Sequence, residues 1–175
     1  MDARMRASRV KLIAFDIDGV MTDGGLCYTD DGRELKIFSV QDGLGLKLLQ
    51  RGGIELAIVT GRSSGVVAAR AADLGIEHVF QGVADKRETV GGLLARLCFH
   101  WPECAFMGDD LIDLPVMMQC GLAIAPANAR PVVRERAHVV MDSSGGHGAV
   151  REAAEFILAA QGKLENLFAA YLDPQ

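Results

Sequence analysis

The sequence predicts an α/β fold in which a doubly wound, parallel sheet carries helices on both faces. Short apolar runs alternate with segments of helical periodicity along most of the 175 residues. The runs are apolar at successive positions, as in strands buried on both faces, and several end at an acidic or glycine-containing turn. Half of the residues are hydrophobic and 23% are charged, a composition that supports one packed core and excludes a disordered chain.

The apolar runs define the predicted strands. The first run ends at Asp16, and the turn residues Asp30-Asp31-Gly32 separate two further runs, at residues 26–28 and 35–38, which predicts a β-hairpin inserted at about residues 26–38. The other strands are separated by helical segments, which is the pattern of right-handed βαβ units. In chain order, the predicted sheet strands cover residues 10–15, 54–59, 76–80, 104–107, 122–124 and 138–141.

Capping residues set the boundaries of the predicted helices. Ser63 or Ser64 starts a helix that ends near Gly75, and Asp85 with Glu88 starts the next one. Asn128, with Pro131 soon after it, starts a short helix. The remaining predicted helices cover residues 44–49 and 149–160, and a C-terminal tail at about residues 163–175 adds a helical turn or two.

Composition excludes several classes of function. The net charge is −5 and no long basic run occurs, so nucleic acid is a poor candidate partner. No apolar run approaches the roughly 18 residues of a membrane span, and we expect a cytoplasmic protein. The four cysteines form no C-x-x-C pair, which leaves a zinc site or a disulfide framework unsupported.

Polar residues follow four of the predicted strands. Ligands of doubly wound sheets bind outside the carboxyl ends of the strands, so these residues are the candidate site. They place carboxylates, one hydroxyl, one guanidinium and one ammonium at the same edge of the sheet. The set consists of Asp16 and Asp18, then Thr60, Gly61 and Arg62, then Lys86, and finally Asp109, Asp110 and Asp113.

The two acids after the first strand fit the chemistry of phosphate-ester hydrolysis. Asp16, at the strand tip, can attack phosphorus and form an aspartyl-phosphate. Asp18 can protonate the leaving alkoxide and later deprotonate the attacking water. Carboxylates crowded in this way require a cation between them, and oxygen ligands suit Mg²⁺. We therefore expect a magnesium site that includes Asp109.

The other strand-end residues have supporting roles in the same reaction. Thr60 and the amide of Gly61 can donate to the transferring phosphoryl group. Lys86 can hold both the nucleophile and the phosphate as a point charge. Asp110 and Asp113 either cap local turns or hold waters and orient Lys86 around the metal ligands.

Four motifs together resemble those of the haloacid dehalogenase superfamily: DIDGVMTDG, IVTGR, Lys86 and GDDLIDLP. Further stretches, VQDGLGLKLL, ARAADLGI, FQG and GGHGAVRE, resemble its 3-deoxy-D-manno-octulosonate 8-phosphate phosphatase family. The resemblance extends from Lys11 to Leu164. It implies a Rossmann-like fold of the haloacid dehalogenase type and Mg²⁺ bound by Asp16, the main-chain carbonyl of Asp18, and Asp109. It also implies phosphate contacts from Thr60, Gly61 and Lys86.

Three positions bear on the substrate that the resemblance implies. Gln41 stands where the family often has Arg, and His147 stands where it often has Arg or Lys. Both positions could contact the carboxylate of a sugar acid, although His147 could equally be a surface loop residue. Relatives that act on nine-carbon sugar-acid phosphates tend to carry an acidic residue where this chain has Arg62, which favours the eight-carbon substrate.

The short gaps between motifs predict a single domain, residues 1–175, without a cap domain. Only 41 residues separate Asp18 from Thr60, and only 25 separate Thr60 from Lys86. An open site needs a lid, which a second copy of the chain could supply. The resemblance implies a homotetramer with the hairpin at its interface and the tail at a neighbouring site. Simple disorder after Leu164 is the alternative for the tail.

Other functions share parts of this pattern. A receiver-like signalling domain also has a doubly wound sheet, a phospho-accepting Asp, a Thr and a Lys. Its acidic pair precedes the acceptor by a βαβ step, whereas Asp16 and Asp18 here are two residues apart and the second acidic cluster comes last. Another phosphate ester, including a nine-carbon sugar-acid phosphate, is the alternative substrate. A catalytically idle sugar-phosphate-binding subunit is a further alternative, which the intact acids and Lys86 disfavour.

Overall fold

The computed structural model describes residues 2–172, and its strands form a six-stranded parallel sheet and a separate hairpin. This confirms the predicted α/β class. In chain order the strands are β1 (Leu12–Phe15), β2 (Cys27–Tyr28), β3 (Glu34–Leu35), β4 (Glu55–Val59), β5 (His78–Phe80), β6 (Cys104–Met107), β7 (Leu122–Ala125) and β8 (Val139–Val140). The sheet order is β5-β4-β1-β6-β7-β8, so the chain winds outward in both directions from β1.

Eight α-helices lie within the described residues and cover both faces of the sheet. They are α1 (Ala3–Ala7), α2 (Val40–Arg51), α3 (Gly65–Leu74), α4 (Lys86–Leu97), α5 (Leu114–Met117), α6 (Pro131–Arg134), α7 (Ala149–Ala160) and α8 (Leu164–Leu172). Single 3₁₀ turns at Trp101–Glu103 and Leu111–Asp113 come before and after β6.

Strand β1 shows how the sheet separates two cores. Ile13 and Phe15 pack with α2 and α7, whereas Leu12 and Ala14 pack with α4 and α5 on the opposite face. All four side chains are fully buried. A strand buried on both faces has no polar alternation, which is why it reads as a continuous apolar run.

Helix α2 is longer than predicted. It begins at Val40 after the N-cap Ser39, whose side chain accepts a hydrogen bond from the Asp42 amide. The prediction started only at residue 44, after Gly43, because glycine lowers helix propensity. Space explains the second glycine, since a Cβ at Gly45 would lie 2.8 Å from the backbone of Arg151. Close packing of α2 on α7 therefore overrides local propensity.

Two predicted helix caps differ in the structure. Ser64 is the N-cap of α3, but its hydroxyl makes no capping bond, and its amide donates to the side chain of Gln81 at 2.7 Å. Asn128 does not cap α6, which begins after Arg130. Its side chain instead accepts from the Gly145 amide at 2.6 Å and donates to the Gly19 carbonyl at 2.9 Å. Ser64 thus occupies the predicted N-cap position without its side-chain bond, whereas Asn128 makes tertiary contacts instead of capping a helix.

The predicted hairpin is present, with Cys27 opposite Leu35 in antiparallel register. From β1 to α4 the structure holds only this hairpin, helices α2 and α3, and strands β4 and β5. Helix α8 packs against α7, and the Tyr171 hydroxyl accepts a hydrogen bond from Arg51 at 2.5 Å. The tail is helical through Leu172, and residues 173–175 of the predicted tail lie outside the described residues.

Among residues 2–172, no helix is long and apolar enough to cross a membrane. All four cysteines are free thiols, two of them exposed and two buried.

Candidate active site

The ends of β1, β4 and β6 place the predicted polar residues around one cleft. Asp16 directly follows β1, and its amide donates to the Met107 carbonyl at 3.0 Å, which fixes the strand tip beside β6. The cleft has a volume of about 290 Å³ and is lined by Asp16, Asp18, Gly24, Thr60, Gly61, Arg62, Asp109, Asp110 and Ile112. A larger hollow of about 550 Å³ lies at the opposite edge of the sheet and contains none of these acids.

Lys86 connects two of the acids. Its ammonium lies 3.0 Å from Asp16 Oδ1 and donates to Asp113 Oδ1 at 2.6 Å, and the residue is only 4% exposed. It begins α4 directly after the N-cap Asp85, whose carboxylate accepts from the Glu88 amide. The helix start thus fixes the lysine beside the tip of β1. An ammonium buried in this way depends on its charged partners for stabilisation.

Both oxygens of Asp113 already accept hydrogen bonds from the protein. Its Oδ1 accepts from Lys86, and its Oδ2 accepts from the amides of Asp109 and Asp110 at 2.9 and 3.3 Å. The side chain is fully buried. It therefore orients Lys86 and shapes the turn that follows β6.

Asp109 lies in a buried, negatively charged environment that a cation would stabilise. Burial, followed by the negative charges of Asp113, Asp16 and Asp110, raises the pKa of Asp109 to about 7. Its Oδ1 is buried and has no hydrogen-bond partner among the described residues. Burial and the charge of Asp113 also raise the pKa of Asp16 against the opposing effect of Lys86.

Carboxylate oxygens of Asp16, Asp109 and Asp113 all lie within 4.8 Å of one another. With Asp113 already committed to its donors, Asp16 and Asp109 are the side chains that fit a divalent cation. Gly19 keeps the space beside them open, because a Cβ at this residue would lie 2.1 Å from Asp109 Oδ2. Its φ of +93° also favours glycine. Oxygen donors in this arrangement suit a hard ion such as Mg²⁺.

Asp18 is directed to the hairpin side of the cleft. Its Oδ1 accepts a hydrogen bond from Lys36, and its Oδ2 lies 3.5 Å from Arg62 Nε. On a regular strand, Asp16 and Asp18 would share a face, because they are two residues apart. The chain leaves the strand at Asp16, however, so the two carboxylates have different neighbours. Different neighbours are the physical basis for different roles.

Thr60 and Gly61 lie across the cleft from these acids. Thr60 is 3% exposed, and its amide donates to the Phe80 carbonyl at 3.0 Å, which holds the end of β4 against β5. Arg62 is more exposed, and its Nη2 donates to the Tyr28 hydroxyl at 2.8 Å and to Glu34 Oε1 at 3.0 Å.

Gln41 and His147 are not among the residues that line this cleft. Both are exposed, Gln41 in the first turn of α2 and His147 in the loop before α7. The two segments are nevertheless joined by Asp42, which is 2% exposed and accepts from the amides of Gly148 and Arg151. Gln41 and His147 thus flank one buried contact between α2 and the His147 loop.

Sequence reasoning missed Lys36, Glu34 and Asp42, and it gave Asn128 a helix-capping role instead of its bridging contacts. Each has a partner far along the chain, 18 residues away for Lys36 and Asp18 and 109 residues away for Asn128 and Gly19. For the three missed residues, the only local signal was the VQDG stretch, which included Asp42 without indicating a role.

Comparison with known proteins identifies the family of this chain. Residues 74–152 match the model of a haloacid dehalogenase-like hydrolase family. The chain is 46% identical over 164 residues to 3-deoxy-D-manno-octulosonate 8-phosphate phosphatase of Yersinia pestis, an alignment that covers 94% of this chain and 88% of that protein.

Solved structures give the same assignment. The Moraxella catarrhalis 3-deoxy-D-manno-octulosonate 8-phosphate phosphatase, in complex with magnesium, phosphate and the sugar acid KDO, superposes with a TM-score of 0.95 at 42% identity and 97% coverage of both chains. A probable phosphatase of the YrbI family from Pseudomonas syringae gives a TM-score of 0.97 at 46% identity and 99% coverage of both chains. This chain therefore belongs to the 3-deoxy-D-manno-octulosonate 8-phosphate phosphatase family of haloacid dehalogenase-like hydrolases.

Proposed function

We propose that this protein is a Mg²⁺-dependent phosphatase that hydrolyses 3-deoxy-D-manno-octulosonate 8-phosphate to 3-deoxy-D-manno-octulosonate and phosphate. One observation carries the proposal: a buried Asp16, 3.0 Å from Lys86, lies beside Asp109 in an open cleft at the carboxyl edge of the sheet. The substrate follows from relatives of that name and from the Moraxella structure that contains magnesium, phosphate and KDO.

In the first half-reaction, a carboxylate oxygen of Asp16 attacks phosphorus and the bond from phosphorus to the sugar oxygen breaks. Asp18 gives its proton to that oxygen, so the sugar leaves as an alcohol. Thr60 and the Gly61 amide donate to the phosphoryl oxygens, and Lys86 offsets their charge from behind Asp16. The product on the protein is an aspartyl-phosphate.

In the second half-reaction, water attacks the phosphorus of the aspartyl-phosphate. Asp18, now a carboxylate, takes a proton from that water, and Asp16 is released as phosphate forms. Asp16, the main-chain carbonyl of Asp18, and Asp109 would hold the magnesium ion. When bound, the ion neutralises phosphoryl charge that the carboxylates would otherwise repel.

The sugar end of the substrate lies toward the open side of the cleft. Arg62, 44% exposed in its side chain, is the cation placed there. It lies where an anionic sugar acid would meet the cleft, and Gln41 and His147 remain the further candidates for contacts to the sugar carboxylate. Their exposure in this chain suits a contact completed by a second copy.

We propose that the second copy packs on the hairpin in a homotetramer. The hairpin exposes a set of large apolar side chains that an isolated chain leaves in water: Leu26 at 51%, Tyr28 at 53%, Leu35 at 51% and Ile37 at 86%. Exposed apolar strands of this kind favour association. The same contact would cover the cleft, because Tyr28 already touches Arg62.

Free exposed thiols at Cys27 and Cys98 fit a reducing cytoplasm.

A phosphate-release screen with Mg²⁺ tests the proposed function. The panel compares eight- and nine-carbon sugar-acid phosphates, hexose phosphates and p-nitrophenyl phosphate. We expect kcat/KM for the eight-carbon ester to exceed that of every other sugar phosphate by at least about tenfold, the effect of roughly 1.4 kcal/mol in transition-state binding. A preference for a nine-carbon ester would contradict the proposed eight-carbon substrate. One phosphorylation of the protein without further turnover would indicate a receiver domain instead of a phosphatase.

A further inference from the structure

A buried lysine between the hairpin and the catalytic acids has no part in the reaction described above. Lys36 follows β3, and its side chain is 2% exposed although its backbone lies at the surface. Its ammonium donates to Asp18 Oδ1 and lies 3.3 Å from Glu34 Oε1. Burial of an ammonium is unfavourable unless anions compensate it, so the contacts with Asp18 and Glu34 hold Lys36 in this position.

Arg62 contacts the same two acids from the other side. Its Nε lies 3.5 Å from Asp18 Oδ2, and its Nη2 lies 3.0 Å from Glu34 Oε1. Lys36, Asp18, Arg62 and Glu34 therefore form a closed ring in which cations and anions alternate. We call these four residues the charge ring. Two of its members belong to the β2–β3 hairpin region, one follows β1 and one follows β4.

The two oxygens of Asp18 differ in this ring. Oδ1 is engaged in a hydrogen bond by Lys36, whereas the 3.5 Å separation of Oδ2 from Arg62 is longer than a normal hydrogen bond. The χ2 torsion of an aspartate has broad, shallow preferences, so a carboxylate without a fixed partner samples many orientations. Lys36 restricts this torsion by holding one oxygen.

We propose that Lys36 is a positioning residue that holds Asp18 through Oδ1 and leaves Oδ2 to exchange the proton with the leaving group. Glu34 supports this role because it holds Lys36 and Arg62 in place around the acid. The inference rests on the proposed phosphatase function. It makes the hairpin a part of the catalytic apparatus as well as a surface for association.

Leaving-group dependence separates positioning from a merely structural role. An alkyl phosphate needs its oxygen protonated as the bond breaks, whereas p-nitrophenolate leaves without that help. The parameter kcat/KM reports only the steps through leaving-group departure, because formation of the aspartyl-phosphate is the first irreversible step. We expect K36M to lower kcat/KM about 100-fold for the sugar phosphate and less than about threefold for p-nitrophenyl phosphate.

Three further variants complete the experiment, all measured on the Mg²⁺-loaded protein. D18N should show the same selective loss, because it removes the acid itself. K47M is the matched control, since Lys47 is a partly buried lysine that donates to the Leu74 carbonyl far from the cleft. It should leave kcat/KM for both substrates unchanged. E34Q keeps the size of the side chain but removes the charge that holds Lys36. It should therefore lower kcat/KM for the sugar phosphate by about tenfold and leave that for p-nitrophenyl phosphate unchanged. If K36M fails to fold, as shown by circular dichroism, E34Q decides the question.

Equal losses on both esters, or no loss in either ring variant, would overturn the role of Lys36. These results are distinct from failure of the proposed function. A wild-type protein that releases phosphate from neither ester would refute the phosphatase itself, whereas wild-type turnover with parallel losses would refute only the positioning by Lys36.

Discussion

Replacement of Asp16 by asparagine is expected to lower phosphatase turnover by about 10⁴-fold or more. An amide oxygen carries no charge and attacks phosphorus poorly, so the aspartyl-phosphate cannot form. The fold should survive, because asparagine has the same shape and Lys86 keeps its bond to Asp113 at 2.6 Å. Steady-state phosphate release measures the loss, and thermal unfolding measures the fold.

Glu135→Gln is the matched control for D16N. It also removes one negative charge, but Glu135 is 72% exposed in its side chain, and within residues 2–172 its ion pair is with the neighbouring Arg136 at 3.8 Å. Its turnover should equal that of the wild type. Activity of D16N within about tenfold of the wild type would show that another group is the nucleophile.

Removal of the divalent ion is expected to have the second large effect on turnover. The pH dependence of Mg²⁺ binding follows from Asp109. We expect EDTA to abolish turnover and added Mg²⁺ to restore it, because a cation is needed among Asp16, Asp109 and the phosphoryl oxygens. Metal binding also requires an ionised Asp109, whose pKa is raised to about 7 by burial and by the charges of Asp113, Asp16 and Asp110. The apparent affinity for Mg²⁺ should therefore rise with pH up to about 7 and then level off.

The same shift contributes a pH dependence to the stability of the ion-free protein. The pKa of Asp109 lies at about 7 in the folded state, against an ordinary value of 3.8, so between these values the folded chain binds more protons than the unfolded chain. Its free energy of unfolding should fall as pH rises through this window. Mg²⁺ should then raise the unfolding temperature most at the high-pH end of this window.

Thermal unfolding at about pH 5.5 and about pH 8, with EDTA or with Mg²⁺, measures both effects. The variant D109N keeps the shape of the residue and removes its charge. It should lose the stabilisation by Mg²⁺ and show a weaker decrease in stability with rising pH. A magnesium effect of equal size at both pH values in the wild type would contradict the placement of Asp109 at the ion.

The sequence predicted the sheet because β1 and β6 are buried on both faces and therefore leave an uninterrupted apolar signal. It also placed the hairpin, since Asp30-Asp31-Gly32 has few uses other than a turn. The start of α2 was misplaced because Gly43, in its first turn, lowers helix propensity. Gly45 is present for close packing on the backbone of Arg151, a neighbour about which local propensity gave no information.

The strand-end rule predicted which residues would face one cleft, but not how they would pair. Asp16, Thr60 and Asp109 each follow an apolar run and were found by position alone. Lys36 follows a two-residue strand at the surface, where a lone lysine is usually solvated. Its burial depends on Asp18, from the turn after β1, and Glu34, from the hairpin, both contacting its ammonium, and periodicity cannot reveal such a contact between distant segments.

Asn128 shows the same limit from another direction. Its position before Pro131 predicted a helix cap, and the structure uses it to join the loop after β1 to the loop before α7. Such a bridge depends on two chain segments that are both glycine-rich, at Gly19 and Gly145. A cap and a bridge use the same side-chain amide, so residue type alone could not distinguish them.

The central step of the proposed mechanism is the formation of a covalent bond between Asp16 and phosphorus. Rapid acid quenching during a single turnover with a ³²P-labelled ester, followed by peptide mapping, measures this bond directly. The proposed mechanism predicts one transient, base-labile label on the peptide that contains Asp16, with D16N unlabelled. Full phosphate release without any labelled protein, or a label on another residue, would contradict it.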